Sequence, residues 1–276
     1  MVEPQLTRYS SHGVTLLGDM SRPCGVTLAF TERSGGVSVG AYSSLNLGDS
    51  CGDDPSAVAQ NRRLALDAMG ALPWEERLIN PRQVHGDKVV CVSGSSAEEI
   101  AAARREARQG ADAMVCTVPE VPVLLCFADC VPIILVAPGG FAVVHSGWRG
   151  TLARVSAKAA GVLCERTGAE PKDLLAYIGP HIGVDDYEVS GELMARFGQE
   201  FGEKIKRNDA HLDLARCIEI ALEDAGLSRP QIVCYEDSTA SCTDRFFSYR
   251  AEAGTCGRHG ALAYMSQGVG ADHSCR

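Results

Sequence analysis

Two residues able to do chemistry, Cys130 and His145, stand at the ends of neighbouring apolar runs in this 276-residue sequence. Cys130 closes Phe127-Ala128-Asp129-Cys130, and His145 leads into Ser146-Gly147-Trp148-Arg149-Gly150. Residues 121–137 and 141–145 are apolar and rich in β-branched side chains, with Pro138-Gly139-Gly140 between them, which predicts a hairpin that brings the thiol and the imidazole together. A second imidazole, His85, precedes the apolar run 89–92. Cysteine with two histidines suits zinc with one position left for water, where the ion acts as a Lewis acid and lowers the pKa of that water. The separations of 45 and 15 residues lack the short CxxC or HxxxH spacing of an unambiguous zinc motif, so spacing alone leaves packed cysteine and hydrogen-bonded histidine as the competing reading.

The elements that must position these groups read as follows. The first strand is predicted at residues 25–30, followed by a glycine- and serine-rich loop over 34–47. Asp54-Pro55 starts a helix, as a capping carboxylate followed by proline at the first turn, running to about Met69 ahead of Gly70. Residues 97–110 read as another helix. Strands at 89–92, 113–116, 123–127, 133–136 and 141–145 are expected to form one central sheet. A single helix over 150–167 carries Leu152, Val155, Ala159, Val162 and Leu163 on one face, and its start places backbone N–H groups and Arg149 near the proposed metal, where a phosphate could bind. Arg149 reads equally well as a structural arginine paired with a carboxylate. Helices at 191–201 and 213–225, strands at 231–235 and 261–264, and a polar tail over 266–276 complete the chain. Strands and helices mix without strict alternation, which indicates an α+β fold of mixed sheets layered with helices.

Composition bounds the function. The hydrophobic fraction of 45% supports a sizeable core, and the absence of repeats or low-complexity segments predicts one domain over 1–276 with its core at about 26–265. A net charge of −9 argues against a nucleic-acid backbone as ligand, although a small anion can use a local basic pocket. Glu3 and Arg8 interrupt the amino terminus, so no secretory signal is visible. The uncharged stretch 130–148 is broken by Pro132, Pro138, Gly139 and Gly140, which makes it a hairpin rather than a membrane span. Twelve irregularly spaced cysteines without a signal predict reduced thiols and a cytoplasmic location.

Five segments carry a resemblance: Gln83-Val84-His85-Gly86, Ala128-Asp129-Cys130-Val131-Pro132, Val144-His145-Ser146-Gly147-Trp148-Arg149-Gly150, Ile178-Gly179-Pro180-His181-Ile182-Gly183 and Phe246-Phe247-Ser248-Tyr249-Arg250. In this order, over about 26–264, the chain resembles the laccase-domain family, whose bacterial members go by the names polyphenol oxidase, purine nucleoside phosphorylase and peptidoglycan editing factor. The resemblance implies a cytotoxic-necrotizing-factor-like fold, a catalytic zinc on His85, Cys130 and His145, phosphorolysis of purine nucleosides, and adenosine deamination. It also implies that Asn46 and Arg62 face the active site; Arg149, by its place at the helix start, is the further substrate-binding candidate. Ser50 departs from the pattern, since the family usually has histidine there, and Ser238 stands where a cysteine is common. His181 is not required by the family. Phe246 to Arg250 could stack a purine and bind phosphate, or form an ordinary apolar strand.

Seven histidines with no HxH pair cannot build a multicopper cluster. Two further functions compete with the purine reading. One is a hydrolase or amidase with Cys130 as nucleophile and His145 as base, acting on an amide such as a cell-wall precursor. The other is a non-catalytic zinc-stabilised binding protein, which requires a fourth ligand that the sequence does not offer.

Overall fold

The computed structural model describes residues 3–267, so the predicted tail beyond Gln267 lies outside the described residues. The chain builds two sheets packed face to face, with helices on their outer faces.

The first sheet is antiparallel throughout. Its order is β1 (Thr7–Ser11), β2 (Val14–Gly18), β3 (Val26–Thr31), β11 (His259–Met265) and β6 (Val123–Phe127). The second is mixed, in the order β10 (Ile232–Cys234), β9 (Leu175–Ile178), β7 (Val131–Ala137), β8 (Gly140–Ser146), β5 (Ala113–Cys116) and β4 (Val89–Val92). Its two outer pairs, β10 with β9 and β4 with β5, run parallel, and the inner pairs are antiparallel.

Strand periodicity explains the layers, because successive side chains point to opposite faces. In β7, Ile134 and Val136 meet Leu125, Phe127, Ala261 and Ala263 of the other sheet. Ile133 and Leu135 face the opposite way, onto Val155, Ala159 and Leu163 of α4 (Val155–Thr167) and Ile218 and Leu222 of α6 (Leu214–Asp224). On the far side of the first sheet, Leu16, Ala29, Leu124 and Leu262 pack against Leu66 and Met69, at the end of α1 (Pro55–Ala68). Each strand of the middle layers is covered on both faces, which is why β7 and β8 are buried along their whole length and read as near-continuous apolar runs, up to Val144 in β8, instead of alternating. The expected α+β class is the observed one.

Several local expectations are corrected. The chain begins with the hairpin β1–β2, ahead of the strand read as first. The strands expected in one central sheet are divided, β6 joining the first sheet and the other four the second. The helix read over 150–167 is two: α3 (Trp148–Leu152) and α4, broken at Arg154, whose φ of 56° is left-handed. Residues 246–250 form no strand: 246–248 are irregular and Tyr249 and Arg250 lie in a turn. The helix predicted after residue 97 is α2 (Ala97–Arg108), with a capping box between Ser96 and Glu99. No helix among the described residues is long and apolar enough to cross a membrane.

Candidate metal centre

The predicted hairpin forms, and its register sets the centre. β7 and β8 pair with Pro132 opposite His145 and Val131 opposite Ser146, so the imidazole lies across from the strand residue two beyond Cys130. Cys130 itself ends the short connection through which the chain leaves β6 in one sheet and enters β7 in the other. That connection is tight: Asp129 adopts a left-handed φ of 84°. Its carboxylate accepts the Arg250 backbone N–H at 2.6 Å and the Thr239 hydroxyl at 2.7 Å, fixing the turn to two distant loops.

His85 arrives on a loop, not on a strand. Gln83 docks that loop to β6, its side-chain amide donating to the Cys126 carbonyl at 2.7 Å and accepting the Cys126 N–H at 2.9 Å. The Asp112 carboxylate, fully buried at the foot of β5, accepts the backbone N–H groups of Val84, His85 and Gly86 at 3.3, 2.9 and 2.7 Å. The same carboxylate lies 2.8 Å from Nδ1 of His145.

One ligand atom each from His85, Cys130 and His145 lies within 4.8 Å of the others. The two imidazoles meet edge to face, 4.9 Å between centroids. Gly147 closes one side: a Cβ there would stand 3.0 Å from Sγ of Cys130 and 3.2 Å from Cδ2 of His85, so only glycine leaves the ligands undisturbed. His145 is buried, Cys130 half-buried and His85 exposed, which gives the cluster a dry floor and an open side.

Electrostatics match a thiolate site. Burial opposes charge on Cys130, but the neighbouring His145 and His85 imidazoles outweigh it and lower the thiol's pKa. Burial likewise opposes the imidazolium of His145, and the Cys130 thiolate and Asp112 carboxylate outweigh it and raise the pKa. This donor set, thiolate with two imidazoles and a carboxylate behind one of them, can hold a metal ion of the zinc or copper type. The same atoms, in the order thiolate, imidazole, carboxylate, also have the layout of an activated nucleophile.

The other expected residues lie elsewhere or are already engaged. Asn46 is fully buried and organises its own loop, donating to Asp53 at 2.9 Å and accepting from the backbone N–H groups of Gly48 at 3.0 Å and Arg258 at 2.8 Å. Arg62 donates to the Leu47 carbonyl at 2.9 Å and to Asn80 at 3.0 Å, and pairs with Asp49 at 3.4 Å. Arg149 is exposed on α3, two residues beyond Gly147, its guanidinium 4.2 Å from the centre of the Trp148 ring. Ser50 is exposed in the loop after Asn46. His181 is buried against the Gly179 carbonyl at 2.8 Å and does not join the cluster. Phe246 and Phe247 are buried, while Arg250 donates to the carbonyls of Asp186 and Glu188 at 3.3 Å.

Asp112 and Asp129 were not singled out from sequence. Asp112 stands just before an apolar strand, where a carboxylate reads as a solvated loop residue. Asp129 carried a signal, since aspartate between a strand and a cysteine in so short a connection is a residue type that tolerates the left-handed region.

The family described as multi-copper polyphenol oxidoreductase laccase matches residues 27–266. A purine nucleoside phosphorylase of Deinococcus radiodurans is 34% identical over 239 residues, covering 85% of this chain and 87% of that protein. Purine nucleoside phosphorylase YfiH of Escherichia coli K12 is 32% identical, covering 88% of this chain and 96% of its own. Among solved structures, YlmD from Geobacillus stearothermophilus superposes with a TM-score of 0.80 at 28% identity, over 91% of this chain and 96% of that one. The sheets and helices thus follow a known architecture along nearly the whole length, and the chain belongs to the multi-copper polyphenol oxidoreductase laccase family.

Proposed function

We propose that this protein is a zinc-dependent purine nucleoside phosphorylase of a single domain, working in the cytoplasm, with adenosine deamination as a second reaction. The observation that carries the reading is the convergence of His85, Cys130 and His145 within 4.8 Å, beside relatives named for phosphorolysis. Among the described residues no fourth histidine, cysteine or carboxylate joins this group, which favours an open catalytic position over a closed structural one. A zinc held there would supply a Lewis acid and a bound water of lowered pKa.

The chain's own residues have separate tasks. Phosphorolysis forms a bond from a phosphate oxygen to the sugar carbon while the bond from that carbon to the base nitrogen breaks, and the departing base takes up a proton. The phosphate must therefore be held in line with the sugar carbon. Arg149, exposed on α3 two residues beyond Gly147, is the guanidinium best suited to hold it. Asn46 and Arg62 act through the loop after Asn46, which they tie to Asp53, Leu47 and Asn80, so their contribution is to shape the wall of the site. The buried floor around His145 excludes water from one side of the reacting groups.

Inosine and adenosine incubated with the purified protein should release hypoxanthine and adenine together with ribose 1-phosphate, and only when phosphate is present. The lowered pKa of Cys130 favours a second reading, a cysteine hydrolase with His145 as base and Asp112 behind it. Equal release of base in phosphate-free buffer would support that reading and refute phosphorolysis.

A further inference from the structure

We propose that Asp112 is the positioning residue of the metal centre, one carboxylate that sets both the ring orientation of His145 and the place of His85. The inference rests on the metal reading above and deepens it.

A histidine presents a defined nitrogen to a metal only when the other nitrogen is engaged. In His145 that engagement is the 2.8 Å contact from Nδ1 to Oδ1 of Asp112, which leaves Nε2 as the ligand atom. The main chain reinforces it, because the His145 N–H donates to the Asp112 carbonyl at 2.7 Å.

His85 depends on the same group by another route. It lies outside any helix or strand, in the left-handed region at a φ of 59°, which a non-glycine residue keeps only when its surroundings hold it. The hold consists of three successive amides, those of Val84, His85 and Gly86, converging on the two oxygens of Asp112. Together with Nδ1 of His145, four N–H groups use this carboxylate, which is wholly shielded from solvent. Asparagine in its place keeps one acceptor oxygen and turns an NH2 group towards donors it cannot satisfy. Both histidines then lose their alignment at once, although neither has been changed.

Zinc affinity of the full-length protein, measured by competition with a chromophoric chelator, tests this. Asp112→Asn should bind zinc about 10- to 100-fold more weakly, the usual effect of removing a carboxylate behind a ligating histidine. Glu219→Gln, which removes a buried carboxylate paired with Arg216 and Arg229, should leave the affinity unchanged. A folded Asp112→Asn protein whose zinc affinity stays within about threefold of the unmodified chain overturns the inference, and a lower melting temperature alone would not rescue it. Because the variant could unfold, histidine-15N NMR of the zinc-loaded unmodified protein gives an independent reading. It should show His145 protonated at Nδ1 and ligating through Nε2, and the opposite assignment overturns the proposal. Failure of the unmodified protein to bind zinc at all would instead remove the metal reading on which the proposal stands.

Discussion

His259 gives the most quantitative test of how burial acts in this fold. It opens β11 opposite Phe127 of β6, fully buried, with its ring stacked on Phe127 at 6.5 Å and edge-on to Phe246 at 5.6 Å. Burial outweighs a backbone contact to Pro180 and pushes the imidazole's pKa down to about 3. In the unfolded chain the value returns to about 6.5. The sign follows: the unfolded chain takes up a proton on falling below pH 6.5 and the folded chain does not, so stability present at neutral pH is lost progressively towards pH 3. Each pH unit within this window is about 1.4 kcal/mol, so between pH 7 and pH 5 the loss from this residue is about 2 kcal/mol. His259→Leu keeps a similar volume and removes the titration. Urea unfolding of both proteins at pH 7 and pH 5 should show the stability gap between them shifting by about 2 kcal/mol in favour of the variant at pH 5. Buried His181, whose pKa burial also lowers, is common to both proteins and cancels in the difference. If the two proteins lose the same stability to within about 0.5 kcal/mol, the measurement's typical coupling error, the burial argument is wrong.

Three further outcomes are expected. The purified protein should carry about one zinc per chain, and Cys130→Ser or His145→Ala should abolish it, as measured by elemental analysis; stoichiometric zinc in both variants refutes the site. Gly147→Ala should weaken zinc binding with little change in melting temperature, because its Cβ falls 3.0 Å from Sγ of Cys130, and unchanged affinity would mean the cradle is looser than drawn. Ser50→His, restoring a titratable group in an exposed loop, should raise turnover of adenosine or inosine about tenfold if that position relays a proton, and unaltered rates in a folded, zinc-loaded variant remove the relay.

What could be read from the chain follows the strength of local signals. Strands β4 to β8 were legible as short apolar runs, with Pro138 and Gly147 ending β7 and β8, and α1 because Asp54 caps it by accepting the Ser56 N–H. The metal triad was legible only as far as the hairpin that pairs β7 with β8, plus a resemblance; spacing could not bring in His85. The hairpin β1–β2 was missed because Thr7–Ser11 is polar and largely exposed, with none of the alternation that marks a half-buried strand. Its His12-Gly13 turn did carry a signal, with both residues at positive φ in the manner of a tight two-residue loop. The break at Arg154 has no glycine or proline to announce it. Division of the strands between two sheets could not be seen either, because uniformly apolar strands do not say which face meets which layer.

The connection that carries Cys130 also limits how the molecule can move. β6 ends at Phe127 and β7 begins at Val131, so only Ala128, Asp129 and Cys130 join the two sheets there. Three residues span about 10 Å, so the end of β6 and the start of β7 cannot draw apart while both strands stay paired. Separation of the two sheets at this crossover is therefore closed to this protein, and amides flanking it should exchange with deuterium more slowly than those of the surrounding loops. Cys130 is thus held at a fixed span from both sheets, while the turns between β10 and β11 that grip the neighbouring Asp129 through Thr239 and Arg250 belong to no strand.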